Sequence, residues 1–280
     1  MPHLPLRSVP LPDASEKLHD AWLGELGERL AEPGADWYRL ARDQLVQLYF
    51  PGVTDYDERI EDPAVPLMTR EALLALDPRQ ITLEPEYYAD VDAERFARVK
   101  PLLWLWYSFD RSVIGGQNIA VAVRFRRVLA QHIFARCGRN FKCFQHVEFS
   151  FGYGLEVGDD VVVHRHVLLD DRGGITLGDR VSISDYANIY SHTHSIVEQK
   201  DVTSVRTVLE DDVRITYHAT ILAGVRVGRN GMVGAVAVAT KDVRAYHVNV
   251  GIPAKSVRVK PNAPPDAYVT ERIARRREEG

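Results

Sequence analysis

The stretch Leu209-Glu-Asp-Asp-Val-Arg-Ile215-Thr-Tyr-His-Ala-Thr-Ile221-Leu-Ala-Gly-Val-Arg-Val227-Gly-Arg-Asn-Gly-Met-Val233 places an aliphatic residue at every sixth position, and Ala239 continues the phase. Neither the 3.6-residue period of a helix nor the two-residue alternation of a strand produces this spacing. A chain wound round a prism with faces of about six residues does, and three faces make a coil of about eighteen. Val157, Val163 and Leu169 show the same phase, as do Leu177, Ile183 and Ile189. The second run is displaced by two residues across the turn-like Asp170-Asp171-Arg172-Gly173-Gly174.

The repeated residues are expected to point inward while short parallel strands stack coil on coil, since no single coil can bury a core alone. Glycine follows the aliphatic position in Val157-Gly158, Leu177-Gly178, Val227-Gly228 and Val233-Gly234. These glycines are expected at tight corners with unusual backbone angles. A β-sandwich fits poorly: the one Asn-Gly turn signal in the repeats, Asn230-Gly231, lies inside the period.

Before about residue 150 helical patterns dominate, over Ala14 to Ala31, Asp36 to Phe50, Thr69 to Leu76 and Arg124 to Arg136. Pro101 to Tyr107 reads only as a short buried or interfacial segment. The expected organisation is a helical extension over 1–123, a helix and lead-in over 124–150, a β-helix over 151–260 and a tail with a short helix, Ala267 to Glu279, over 261–280. Trp37, Trp104 and Trp106 are either core or the lining of an acceptor pocket, and helical aromatics are more often core.

The chain has 280 residues and a formal net charge of -4, which argues against a nucleic-acid binder relying on overall positive charge. The Pro-rich start has no apolar core of a signal peptide, and no apolar run approaches transmembrane length. Cys137 and Cys143 lack zinc-type spacing and read as reduced thiols. A cytoplasmic protein is expected.

Four segments carry a family resemblance. They are Cys137-Gly-Arg-Asn-Phe141 with Phe149-Ser-Phe-Gly-Tyr-Gly-Leu-Glu-Val-Gly158, Asn188-Ile-Tyr-Ser-His-Thr-His194, Ala239-Thr-Lys-Asp-Val243, and Val250-Gly-Ile-Pro-Ala-Lys255. In this order and phase, Arg124 to Lys260 resembles the hexapeptide-repeat acyltransferases of the galactoside and maltose O-acetyltransferase group. The resemblance implies a mainly β chain folded as a left-handed parallel β-helix, working as a homotrimer with active sites between subunits. It implies acetyl-CoA as co-substrate, no metal, no nucleic-acid or membrane partner, and a small acceptor bearing a hydroxyl.

That chemistry calls for a base that takes a proton from an alcohol near neutral pH, and an imidazole of ordinary pKa about 6.5 suits it. The resemblance points to His194, sixteen residues after Gly178, at the start of a loop, Ser195 to Val208, that interrupts the repeat. His192 shares its strand face and is expected to orient His194 or touch the acceptor. His164, His166 and Asp171 fall at acceptor-contacting positions, although an Asn is usual near Val163 or His164. Tyr217 is a candidate oxyanion donor. It stands in Arg214-Ile-Thr-Tyr217, where the family commonly has Trp-Ile-Gly-Ser or Trp-Ile-Gly-Ala.

For coenzyme A, Ala223, Gly224, Gly234 and Ala235 offer small surfaces for the pantetheine arm, and Thr240, Lys241, Lys255 and Arg258 match positions at the nucleotide end. As lone lysines, Lys241 and Lys255 also read as solvated charges. Three further readings stand beside O-acetyl transfer. One is N-acyl transfer to an amino sugar. Another is a γ-carbonic-anhydrase-like zinc site drawn from His164, His166, His192, His194 and His218, whose two-residue spacings do not match the four-residue gap that reading requires. The third is a non-catalytic scaffold.

Overall fold

The computed structural model describes residues 9–198 and 200–267. Three parallel sheets form the faces of a β-solenoid. The first face stacks the strands Arg136–Cys137, Leu155–Val157, Ile175–Leu177, Thr207–Leu209 and Arg226–Val227. The second stacks Lys142–Cys143, Val162–Val163, Ser182–Ile183, Arg214–Ile215 and Met232–Val233. It ends in His247–Val250 and the antiparallel Lys255–Val259. The third stacks Glu148–Phe149, Leu168–Asp170, Asn188–Tyr190, Thr220–Ile221 and Val238–Ala239.

The sixfold phase is the core itself. Leu209, Ile215, Ile221, Val227 and Val233 are completely buried, as are Val157, Val163, Leu177, Ile183 and Ile189. Coil length varies, however. Leu209 pairs with Val227 after eighteen residues, whereas Cys137 pairs with Val157 and Val157 with Leu177 after twenty. The coils begin at Arg136, inside the segment read as lead-in.

The glycine expectation needs correction. Gly158, Gly178, Gly228 and Gly234 have no positive φ; the positive angles at the corners belong to other residues. They are Asn140, Asp160, Arg180, Asp212, Asn230 and Tyr246 between faces one and two, His146, His166, Tyr186, His218 and Val236 between faces two and three, and the glycines Gly152, Gly174 and Gly224 between faces three and one. The corner glycines answer a different constraint. A Cβ on Gly158 would lie 2.7 Å from the Gly178 carbonyl carbon, so adjacent coils approach too closely for a side chain.

Among the described residues, six α-helices precede the coils: α1 (Asp13–Ala31), α2 (Trp37–Tyr49), α3 (Tyr56–Glu61), α4 (Leu67–Leu74), α5 (Ala93–Asp110) and α6 (Ile119–Ile133). Helix α5 occupies the region read as a short apolar segment. Its buried residues, including Val99, Leu102, Leu103, Leu105, Trp106 and Phe109, surround the axis, so no one-sided stripe announces it. It also contains Pro101, which removes the amide that would bond the Ala97 carbonyl. The Tyr38 hydroxyl donates to that carbonyl instead, at 2.8 Å.

Trp106 packs edge-on against Phe149 at 5.1 Å, and Phe134 meets Phe141 and Phe149, joining the helices and coils in one hydrophobic core. Trp106 is therefore core, while Trp37 and Trp104 are partly buried against it. Of the expected C-terminal helix, only Ala267 is described; the remainder lies outside the described residues.

Candidate active site

The corner between faces three and one departs most from regular winding. After Asn188–Tyr190 the chain leaves the coil as His192–His194, turns, and returns antiparallel as Val202–Ser204. His192 lies opposite Ser204 and His194 opposite Val202. The coil has resumed by Thr207, so the excursion ends earlier than the expected Val208.

Polar side chains tie the hairpin base to its neighbours. Ser191 Oγ donates to the Asp170 carbonyl at 2.5 Å and accepts from Gly173 N at 2.8 Å. Thr207 Oγ1 donates to the Tyr190 carbonyl and accepts from Gly224 N at 3.0 Å. Gly224 has φ +77°, and a Cβ there would meet Val205 at 2.9 Å. The returning strand thus needs glycine beneath it.

His192 Nδ1 is hydrogen-bonded to the buried carboxylate of Asp170, which also accepts from Ser150 Oγ at 2.7 Å. Because an ionised carboxylate only accepts, Nδ1 carries the proton and Nε2 the lone pair when the ring is neutral. The exposed His194 ring meets His192 edge-to-face, with centroids 5.2 Å apart. Asp170 was not singled out in the sequence reading. The twenty-residue coil was the available signal, since it aligns Asp170 with Tyr190, two positions before His192.

Asp171, expected to contact substrate, is instead completely buried. Its Oδ1 accepts from Phe151 N at 2.7 Å and Oδ2 from Gly154 N at 2.8 Å, pinning the preceding turn. Burial pushes its carboxyl pKa up to about 6, opposed by these backbone bonds.

The other expected residues occupy different places. His166 belongs to a column at the corner between faces two and three: His146 on His166 at 4.9 Å, His166 on Tyr186 at 4.8 Å and Tyr186 on His218 at 4.9 Å. His164 stacks on Phe144 at 5.0 Å. Burial lowers the pKa of both histidines, and His146 lowers that of His166 further. Tyr217 meets Tyr186 and His218 edge-on, and Gly234 and Ala235 precede Val236 at this same corner. Ala223, Gly224, Thr240 and Lys241 share the His192 corner, following the third-face strands. A single chain therefore does not gather all the expected site residues.

Lys255 and Arg258 lie on the antiparallel edge strand Lys255–Val259. Arg258 lines a cavity of about 570 Å³ with Arg214, Lys260, Met232 and Val248. Burial, reinforced by Arg214, lowers the Lys260 pKa to about 8. Cationic heads over an apolar floor suit an anionic group carrying an apolar arm.

A second cavity of about 480 Å³ lies between the helical extension and the His192 corner. Glu84, Tyr88 and Arg111 wall it on one side, and Phe149, Asp170 and His192 on the other. Among the described residues, no group of three or more His, Cys, Asp or Glu is arranged to hold a metal ion. Both cysteines are free, and burial raises the Cys137 pKa to about 12. None of the described helices is long and apolar enough to cross a membrane.

No family model matches the chain. It is 27% identical over 140 residues to the galactoside O-acetyltransferase of Escherichia coli, covering 49% of this chain and 69% of that protein. The curated relatives it matches are spanned over about a fifth to about two thirds of their own length. A maltose O-acetyltransferase structure from Clostridium difficile aligns with TM-score 0.54 and 22% identity, covering 63% of this chain and 92% of that one. A Vibrio cholerae hexapeptide-repeat acetyltransferase complexed with acetyl coenzyme A aligns with TM-score 0.54 and 23% identity, covering 66% of this chain and all of the other. The solenoid is thus the left-handed β-helix of these proteins. In repeat, fold and sequence the chain is similar to the hexapeptide-repeat acetyltransferases, the galactoside and maltose O-acetyltransferases among them.

Proposed function

We propose that this protein is an acetyl-CoA-dependent O-acetyltransferase acting on a hydroxyl of a sugar or sugar-like acceptor. The observation that carries this reading is the His194 hairpin. Among the described residues, this is the hairpin that leaves the coils to project a histidine, and its neighbouring histidine is fixed by a buried carboxylate.

In the proposed reaction the acceptor oxygen attacks the thioester carbonyl carbon while His194 takes its proton. The tetrahedral intermediate collapses with cleavage of the C–S bond, and His194 returns the proton to the departing thiolate. Positioned general-base catalysis of this type contributes about 10²- to 10⁴-fold.

Ala223 and Gly224 would border the pantetheine arm, Thr240 and Lys241 would continue its path, and Arg258 with Arg214 and Lys260 would take the phosphates. Assembly as a homotrimer would bring the His164, His166, Tyr217, Gly234 and Ala235 corner of one protomer to the His192 corner of another. The division of these residues between two corners supports that arrangement. Two free thiols, Cys143 buried and Cys137 half-buried, are consistent with a cytoplasmic setting.

Free-thiol release from acetyl-CoA, measured across a panel of sugars and small alcohols, tests the reading. Acceptor-dependent release from the wild type and a fall of at least about 10²-fold in His194→Ala, with the oligomer intact, is the expected result. Undiminished turnover in that variant removes His194 from the mechanism.

A further inference from the structure

We propose that Arg172 is a positioning residue through which the helical extension fixes the histidine corner: gripped by Asp90 and Tyr88, it holds the turn that aims Asp170 at His192. Its effect on turnover rests on the acetyl-transfer reading above. The tautomer it imposes on His192 does not.

The turn Asp170-Asp171-Arg172-Gly173-Gly174 joins the third-face strand Leu168–Asp170 to the first-face strand Ile175–Leu177. Most of it is held from inside the solenoid. The Asp171 carboxylate takes the Phe151 and Gly154 amides, and the Gly173 amide donates to Ser191 Oγ. Arg172 reaches the other way, into the extension. Its guanidinium donates to the two Asp90 oxygens, through Nη2 at 2.7 Å and Nε at 3.1 Å, and covers the Tyr88 ring at 4.4 Å. The Arg172 side chain is only 8% exposed, so the pair escapes much of the solvent screening that weakens surface ion pairs. Two parallel bonds also fix its direction.

The grip is anchored on the extension's side as well. Val91 N donates to the Tyr88 carbonyl at 3.2 Å, and Asp92 N donates to the Tyr153 hydroxyl at 3.1 Å. Lys100 Nζ, on α5, donates to the Ile81 carbonyl at 2.7 Å and to Glu86 at 2.9 Å, fixing the turn Glu84–Tyr87 just ahead. A continuous chain of contacts thus runs from α5 to the Asp170 turn.

Asp170 is where a small displacement acts. One oxygen accepts from Ser150 Oγ and the other engages His192 Nδ1, which keeps the ring proton on that nitrogen. Hydrogen bonds weaken steeply as their geometry opens, so a turn released on its outer side lets His192 take the Nε2–H form that a neutral imidazole favours in water. Arg172 lines the same cavity as Asp170 and His192, so freeing it also admits water beside them. Asp171 and Ser191 keep the turn folded; Arg172 sets where it points.

The test reads the His192 tautomer by long-range proton–nitrogen NMR on histidine-labelled protein at about pH 8, above the ordinary imidazole pKa. The signal is assigned by its loss in His192→Gln. The wild type is expected to hold the proton on Nδ1, and Arg172→Ala and Asp90→Ala to move it largely to Nε2. Arg172→Lys, which keeps the charge without the fork, should fall between. In thiol release, kcat should drop at least about tenfold in both alanine variants with the KM for acetyl-CoA within about twofold, and the double variant should be little worse than either. An Nε2–H ring in the wild type, a wild-type tautomer in both alanine variants, or full turnover despite a changed tautomer overturns the proposal. Should the alanine variants not fold, Arg172→Lys and Asp90→Asn decide it on the same readouts. A tautomer that responds to these variants in a protein whose wild type releases no thiol keeps the grip of Arg172 on the corner and defeats the transferase reading.

Discussion

Arg126 Nε donates to Asp110 Oδ1 at 2.8 Å with both side chains buried, locking the end of α5 to α6. The pair also grips the first coil. Asp110 Oδ2 accepts from His146 N at 2.7 Å, and Arg126 Nη1 donates to the Cys143 carbonyl at 3.0 Å. Helical extension and β-helix are therefore fastened through one charged node.

Asp110→Ala should accordingly be among the most damaging single changes in the extension. It strands a buried guanidinium and an amide, and breaking a buried pair from one side costs about 3–5 kcal/mol. Urea unfolding monitored by circular dichroism measures the loss. A loss below about 1 kcal/mol would mean that water reaches Arg126 and that the node is not a weld.

Asp171 gives stability a defined pH dependence. Its folded pKa, raised by burial to about 6, lies above the ordinary carboxylate value, so between about pH 4 and 6 the folded chain holds a proton that the unfolded chain releases. Its contribution is complete below pH 4 and is lost as pH rises through 6, a change on the order of 3 kcal/mol. Asp171→Asn cannot titrate. The stability difference between wild type and variant should therefore shrink from pH 4 to pH 7, as read from urea midpoints, and a constant difference would contradict the raised pKa.

Asp170→Asn probes the dyad separately from folding. With the carboxylate gone, nothing obliges His192 Nδ1 to donate, and the ring loses its fixed tautomer. Turnover should fall about 10- to 10²-fold, and His192→Ala should fall similarly. Because the two residues act as one unit, the double variant should be little worse than either single one. Strictly multiplicative losses in thiol release would show that they act independently.

How much of this was legible beforehand follows from where each interaction runs. The β-helix was readable because its core column repeats along the chain: Leu209, Ile215, Ile221, Val227 and Val233 are both the sequence pattern and the buried interior. Helix α5 was not, because burial around its axis erases the amphipathic stripe and Pro101 imitates a break that Tyr38 repairs from 59 residues away. Asp170 escaped notice for a related reason. Its partnership with His192 crosses coils whose twenty-residue length departs from the eighteen that the regular repeat implies. The cavity wall contributed by Glu84, Tyr88 and Arg111 has no periodic signature, since only tertiary packing brings it to the site.

Core and surface positions of the same chemistry should separate cleanly. Ile189 is completely buried in the third face, whereas Ile196 at the hairpin tip is fully exposed. Ile189→Ala should cost about 2–5 kcal/mol through lost burial and the cavity left behind. Ile196→Ser should stay within about 0.5 kcal/mol. A large loss at Ile196, measured by thermal unfolding at constant protein concentration, would show that the tip is covered in the native assembly.

Val236 presents the opposite case, a native residue that works against its own backbone. Its φ of +60° lies in the left-handed region, where a β-branched side chain crowds the following carbonyl, and its side chain is mostly exposed, so it adds little packing in return. Its amide still bonds the Tyr217 carbonyl at 2.9 Å, an interaction that a glycine retains. Val236→Gly should therefore stabilise the chain by about 1 kcal/mol, net of the greater freedom glycine gives the unfolded state. Gly224→Ala should do the reverse, because φ is +77° and the new methyl would crowd Val205. Opposite shifts in Tm for these two changes are the expected outcome. A destabilised Val236→Gly would instead mean that this corner is packed against another protomer, where the valine side chain has a partner to bury against.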